Sequence, residues 1–433
     1  MLTGDKVDTA INIGFSCSLL TTDMELLRLV ADDGDMALDE ERVPVQDAIE
    51  NAFTQLLSGR THQERALVVD TGALAAVIKF GLEARMLELC GMCKSVICAR
   101  VSPKQKAKVV EMVRRARPAM VTLAIGDGAN DVPMIQTANV GIGIFGLEGK
   151  QAVMTADYAI GQFRFLKPLL LVHGRWHYRR VATIITYTYY KSAVQVFPQF
   201  LFGFASLFSG QRIFYDPFYQ MYNVAYTSLP IFILGLFDQD VSADTALKTP
   251  SLYLDGIKHV HDSTKIFWTW MCEAGAHSLA VAFIPLLAIG KADILHDGQV
   301  GGLFDYGAVV FLCVMLAVNA RLVFEFKMVT VFVVAAVSIH FLGFWLTYWL
   351  YGTPDFTYSF WGPQMLQLVG SYGMLSSSPY LWFSIIAVTV VVTGLSLTIH
   401  GFVSVMRPPS SLVAREIEKI EKKGLDGVKS RDL

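Results

Sequence analysis

The sequence predicts an α/β domain built on a mostly parallel sheet, followed by an α-helical polytopic membrane domain. Three observations carry that expectation. The chain of 433 residues is 53% hydrophobic and only 17% charged, with a mean hydropathy of +0.44, a balance typical of membrane proteins. Charge is unevenly spread: residues 1–165 hold most of the acidic and basic side chains, whereas residues 181–405 are largely apolar. Within the first half, short β-branched runs alternate with helical patterns, as they do where parallel strands are joined by crossover helices.

Taken in order, the runs Leu67–Val69, Ser95–Ile97, Val121–Ile125 and Val140–Ile142 are expected strands, and the stretches 74–88, 103–116 and 148–154 are expected helices of a domain over 1–165. In open parallel sheets ligands collect beyond the carboxyl ends of the strands, which is where the polar motifs of this chain fall. A formal net charge of -2 with mixed signs leaves no basic field for nucleic acid. Residues 1–30 lack the charged start, apolar core and small-residue cleavage site of a secretory signal. The six cysteines include Cys90-x-x-Cys93, but no second pair or histidines at zinc spacing accompany it, so they read as reduced thiols.

A bilayer core about 30 Å thick takes roughly 20 apolar residues of helix. Six stretches qualify, near 181–205, 217–237, 266–289, 306–326, 328–351 and 381–405, within a membrane domain over 166–405. Cytosolic loops carry the lysine and arginine excess. The loops 206–216, 291–304 and 352–380 hold only Arg212 and Lys291, whereas loop 238–265, the link at Arg321 and Lys327, and the tail 406–433 are richer. The soluble domain and the tail are therefore expected on the cytosolic side, with a tight hairpin joining the fourth and fifth spans.

Three polar segments carry chemistry. Gly126–Met134, reading GDGANDVPM, directly follows an apolar strand. Its carboxylates Asp127 and Asp131, in a glycine-loosened loop that opens a helix, suit a hard divalent cation on a phosphate, with magnesium the natural candidate. In Cys98–Lys106, Ser102 is placed to cap a helix and Pro103 to occupy its first turn, which sets Lys106 one turn in, near the functional edge of the sheet. A lysine there serves as a point charge on a transferring phosphoryl group. Thr3-Gly4-Asp5-Lys6 offers a glycine turn and backbone donors.

Together these segments resemble the phosphorylation domain of P-type ATPases, a haloacid-dehalogenase-like (Rossmann-like) fold, and the longer strings LTGDKVDTAINI, CKSVICARVSPKQK, GDGANDVPM and EGKQA resemble its phospholipid-flippase branch. The resemblance covers nearly the whole chain, fading at 22–65 and after 410. It implies that Thr3, Gly4, Asp5, Arg100, Lys106, Asn130 and Asp131 surround the ATP and phosphoryl site, that Asp127 and Asp131 surround Mg2+, and that Lys106 neutralises the transferred phosphate. It also implies a phospholipid substrate and an accessory β subunit.

An ionisable residue within the bilayer is a functional hypothesis by default. Lys191 lies inside the first expected span, followed by Ser192 where flippases typically place asparagine; both are candidates for the substrate path, with helix-holding by Lys191 the competing reading. Glu273 and His277 are one turn apart on the third span and receive no role. The second span contains Asn223, Thr227 and Pro230 but no acidic residue, which argues against a cation pump. Its end, GLFDQD, and the preceding FSGQ resemble flippases. Pro198 and Pro230 are read as helix breaks or packing kinks, and Ala414–Lys423 as a short tail helix.

No Asp-Lys-Thr-Gly segment occurs, so the aspartate that such pumps phosphorylate is not among these residues. The expectation is an incomplete chain, inactive by itself, that belongs to an ATP-driven lipid translocase. A cation-transporting P-type ATPase and a non-catalytic membrane protein retaining the fold are the alternatives.

Overall fold

The computed structural model describes residues 1–29, 42–58, 64–146, 149–289, 301–361, 367–406 and 408–429. Glu148, most of the loop 291–304, Arg407 and Arg431 lie outside them. Two units form, Met1–Leu166 and Lys167–Leu433.

In the first unit, strands β1 (Glu25–Leu29), β2 (Arg65–Val69) and β3 (Ser95–Cys98) pair in parallel in that order, and so do β4 (Leu123–Gly126), β5 (Val140–Ile144) and β6 (Tyr158–Ile160). Every strand pair is parallel, as expected, but the ladder comes in two pieces rather than one sheet. Leu2 bridges to Cys98 and extends the first piece beyond β3. Alternate residues of β2 serve opposite faces. Leu67 and Val69 pack with Leu74, Val77 and Phe53, whereas Ala66 and Val68 pack with Ala10 and Ile11 of α1 (Val7–Ser16). Covered on both sides, the strand reads as a continuous apolar run.

Phe53 belongs to α2 (Arg42–Ser58). The helix expected over 74–88 is two: α3 (Thr71–Phe80), capped by Asp70, and α4 (Glu83–Gly91). Gly81 ends α3 in the left-handed region at φ 70°, where a side chain would be strained. Then α5 (Pro103–Ala116) begins on a capping box of Ser102 and Gln105. The short helices α6 (Val132–Thr137) and α7 (Gln151–Thr155) follow β4 and β5.

In the second unit, α8 (Arg175–Ala205) covers the first expected span and runs about 46 Å at 1.5 Å per residue. The second expected span is not one helix. It divides into α9 (Asp216–Met221), a π-helical turn (Tyr222–Tyr226) and α10 (Ser228–Phe237). Pro230 stands in the first turn of α10, where no intrahelical N–H is lost; Pro198 does lie inside α8.

Four helices among the described residues are long and apolar enough to cross a membrane: α11 (Thr264–Ile289), α12 (Leu303–Glu325), α13 (Val331–Tyr351) and α14 (Pro379–Met406). Lys191, Gln195 and Gln199 keep α8 out of that group. Of the four, α12 is the most enclosed, with Ala308–Met315 all buried. Residues 326–330 join α12 to α13 in a short link. The tail forms α15 (Ser410–Lys429), tied down by Glu418, which accepts from Thr245 Oγ1 at 2.8 Å, and by Arg415, which donates to Lys327 O at 3.1 Å.

Candidate functional site

At the carboxyl ends of the strands the backbone draws two loops together. Thr3 N donates to Cys98 O at 3.0 Å, Val101 N to Thr3 O at 3.0 Å, and Arg100 N to Asp5 O at 2.9 Å. Thr3-Gly4-Asp5 is thereby fixed against the Arg100 loop, and Arg100 itself sits at φ 56°, an uncommon conformation for its type. Thr3 Oγ1 donates to Asp5 Oδ2 at 2.6 Å. A third loop enters through Gln105, whose Oε1 accepts both from Ser102 N and from Thr71 Oγ1, each at 2.9 Å. Asp70 and Thr71, at the end of β2, were not singled out from the sequence; their position directly after an apolar strand was the available signal.

One turn into α5, Lys106 Nζ lies 2.8 Å from Asp131 Oδ1, with both side chains largely enclosed at 13% and 14% exposure. Asp131 fits there because residue 126 is glycine: a Cβ on Gly126 would stand 2.4 Å from Asp131 Cβ. Asp127 and Asn130 are exposed beside the pair. Among the described residues no cluster of three or more His, Cys, Asp or Glu side chains could hold a metal by itself. Asp127 and Asp131 are hard oxygen donors, of the kind that magnesium takes alongside water and phosphate oxygens. The cysteines are free thiols, and burial pushes the Cys98 thiol up to about 11 and that of Cys90 up to about 12.

In the second unit, Lys191 is 5% exposed. Its Nζ donates to Thr227 Oγ1 at 3.0 Å, Thr227 Oγ1 donates to Tyr222 O at 2.9 Å, and Tyr222 OH donates to Lys191 O at 3.0 Å, closing a ring across the π-helical turn. Ser192 points the other way, exposed and donating to Thr188 O at 2.9 Å, so the two candidates do not share a pocket.

Two ionic groups escaped the sequence reading. Arg175 grips Asp240 through two bonds of 2.8 and 2.7 Å, while Arg179 pairs with Asp238, whose other oxygen accepts from Lys327 N and Met328 N at 2.9 and 3.0 Å. These contacts fasten α8 to the end of GLFDQD and to the α12–α13 link. Deeper, Arg321 lies 2.9 Å from Glu273 and 2.6 Å from Glu325, with its guanidinium 3.9 Å from the centre of the Trp270 ring. Glu273 thus has a partner, and also accepts from Ser396 Oγ at 2.7 Å.

Residues 153–409 match the family described as phospholipid-translocating P-type ATPase C-terminal. The chain belongs to the phospholipid-translocating P-type ATPases. Similar relatives include phospholipid-transporting ATPase dnf2 of Schizosaccharomyces pombe, 38% identical over 376 residues covering 83% of this chain and 26% of that protein. Probable phospholipid-transporting ATPase 5 of Arabidopsis thaliana is 40% identical over 327 residues (74% and 26%). Phospholipid-transporting ATPase DRS2 of Saccharomyces cerevisiae is 42% identical over 352 residues (80% and 25%). The chain spans about a quarter of the length of these relatives. With its apolar helices and this family, it is an integral membrane protein.

Proposed function

We propose that this chain supplies the magnesium- and phosphate-binding part of the phosphorylation domain, together with the last six spans, of an ATP-driven phospholipid translocase. It would move lipid from the outer or lumenal leaflet to the cytosolic one through an aspartyl-phosphate cycle. The observation that carries the reading is the enclosed Lys106–Asp131 pair beside the exposed Asp127. In this reading Lys106 offsets charge on the transferred phosphoryl group, Thr3, Gly4, Asp5, Arg100 and Asn130 hold ATP and the phosphoryl oxygens, and Asp127 and Asp131 hold Mg2+. Bound magnesium would supply charge neutralisation between the phosphate and the carboxylates.

The haloacid-dehalogenase-like assignment agrees with the two parallel sheet pieces. Leu2 and β4 each end a ladder, and a further parallel strand between them would make one sheet and bring a phosphate-accepting aspartate to the same edge. In this reading that strand carries the Asp-Lys-Thr-Gly segment, which does not occur among these 433 residues. Counting α8 and the broken α9–α10 segment there would be six spans, which would leave the first unit and α15 on one side of the membrane, and the lysine and arginine excess of the inward segments supports the cytosolic side. Lys191 belongs to the lipid path, with an accessory β subunit as partner. Ser192, on the outer face of α8, takes the place of the usual asparagine without touching Lys191.

In the full-length protein, Asp127→Asn is expected to abolish lipid-stimulated ATP hydrolysis while leaving the protein folded. Retention of most of the activity rejects the magnesium assignment.

A further inference from the structure

The break between α9 and α10 is held in part by Asn319 of α12, which in turn meets His340 of α13, a histidine whose other ring nitrogen has no partner among the described residues. A π-helical turn departs from the regular i to i−4 ladder and frees main-chain carbonyls. Tyr222 O takes Thr227 Oγ1, and Tyr226 O takes Asn319 Nδ2 of α12 at 3.1 Å. Asn319 Nδ2 also donates to Met315 O at 2.8 Å, which fixes the amide: nitrogen toward the two carbonyls, oxygen toward His340 of α13. An amide oxygen only accepts, so His340 Nδ1, 3.2 Å away, carries the proton, and Nε2 of the neutral ring is left as an acceptor.

His340 is 1% exposed, and its Nε2 has no partner among the described residues. The amide nitrogen of Gln195, one turn beyond Lys191 and 6% exposed, has none either. Buried polar atoms are rarely left unpaired unless a water or ligand meets them.

We propose that Asn319 and His340 position the Thr227–Lys191 pair for headgroup recognition, with His340 Nε2 accepting from an N–H or O–H donor of the lipid headgroup. The proposal rests on Lys191 belonging to the lipid path. Asn319 sets the π-helical turn through the Tyr226 carbonyl, and His340 sets Asn319. A headgroup whose ammonium carries hydrogens gains from the Nε2 acceptor, whereas a trimethylated ammonium has no hydrogen to give.

The test is lipid-stimulated ATP hydrolysis by the full-length protein, titrated with phosphatidylethanolamine and with phosphatidylcholine. His340→Leu is expected to raise the half-saturating concentration of phosphatidylethanolamine about tenfold, the effect of one lost hydrogen bond to a charged group, and to raise that of phosphatidylcholine much less, since Asn319 keeps its two bonds to Tyr226 O and Met315 O. His340→Asn, which keeps a donor for Asn319 and an acceptor, restores part of the loss. Asn319→Leu weakens both lipids.

If His340→Leu treats the two lipids alike while Lys191→Met still weakens both, the proposal is overturned and the Lys191 reading stands. If Lys191→Met changes neither, both are overturned. A native protein stimulated by neither lipid overturns them as well. Should His340→Leu lose its thermal transition, His340→Asn carries the same comparison, with a smaller but still phosphatidylethanolamine-selective shift expected.

Discussion

Asp238→Ala is expected to destabilise the membrane unit by about 3–5 kcal/mol, the cost of breaking a buried pair from one side. Asp238 is 2% exposed and Arg179 5%. Removing the carboxylate leaves the Arg179 guanidinium enclosed, with Asp240 Oδ1 at 3.9 Å the one carboxylate oxygen left to answer it among the described residues. It also strips the acceptor from Lys327 N and Met328 N, so the α12–α13 link loses its anchor to α8. Replacing both partners, Arg179→Met with Asp238→Leu, removes the stranded charge and should recover about half of the loss. The two unanswered N–H groups remain, at about 1–3 kcal/mol each where water does not reach them. The assay is thermal unfolding of the full-length protein in detergent, followed by the monodisperse fraction that survives heating. A double variant as unstable as the single one, or a single variant that loses less than about 1 kcal/mol, refutes the argument that Asp238 is a buried clamp.

Three other outcomes follow from the first unit. Gly126→Ala forces a methyl into Asp131 and is expected to cost about 1–3 kcal/mol, together with most lipid-stimulated ATP hydrolysis, read by thermal melts and activity of the full-length protein. Ser102→Ala removes the N-cap of α5 and should cost about 1 kcal/mol, with a matching fall in the melting temperature and little change in the Lys106–Asp131 pair. Alkylation should separate the thiols: Cys98, its thiol raised by burial to about 11, stays unmodified at neutral pH in the folded protein, since thiolate forms only as pH rises toward that value. The exposed Cys17 reacts under the same conditions, as peptide mass spectrometry would show; equal labelling of the two contradicts the burial of β3.

The elements legible in the sequence were those fixed by local chemistry. Ser102 and Pro103 announced the start of α5 to the residue, because an N-cap is a contact within one turn, and Gln105 completes it as a capping box. The GDGANDVPM loop was equally plain. By contrast β1, with the sequence ELLRL, has no β-branched residue and is a strand because β2 lies beside it. Gly81 was the visible sign that one helix would be two, outweighed by the periodicity around it. Pro230 marked a break or a kink in the second span, but the π-helical turn at Tyr222–Tyr226 lies before it and was not legible, because hydropathy does not register how many residues make a turn. Lys191 was evident as a buried charge, yet its partners, thirty or more residues away in Thr227 and Tyr222, come only from packing. The same holds for the arginines of α8, which meet Asp238 and Asp240 some sixty residues on.

The pairing of Arg321 bears on how the membrane unit is assembled. Its two carboxylates come from Glu325, one turn along the same helix, and from Glu273 on α11, the helix that precedes it in the chain. Both are therefore in hand when α12 enters the bilayer, and the guanidinium need not wait in lipid for a later segment. Ser396 and His400, which reach the same carboxylates from α14, arrive last and add a hydroxyl donor and an imidazole to a group in which the arginine is already answered. Order of synthesis and order of neutralisation coincide, so helices can leave the insertion machinery singly or in pairs.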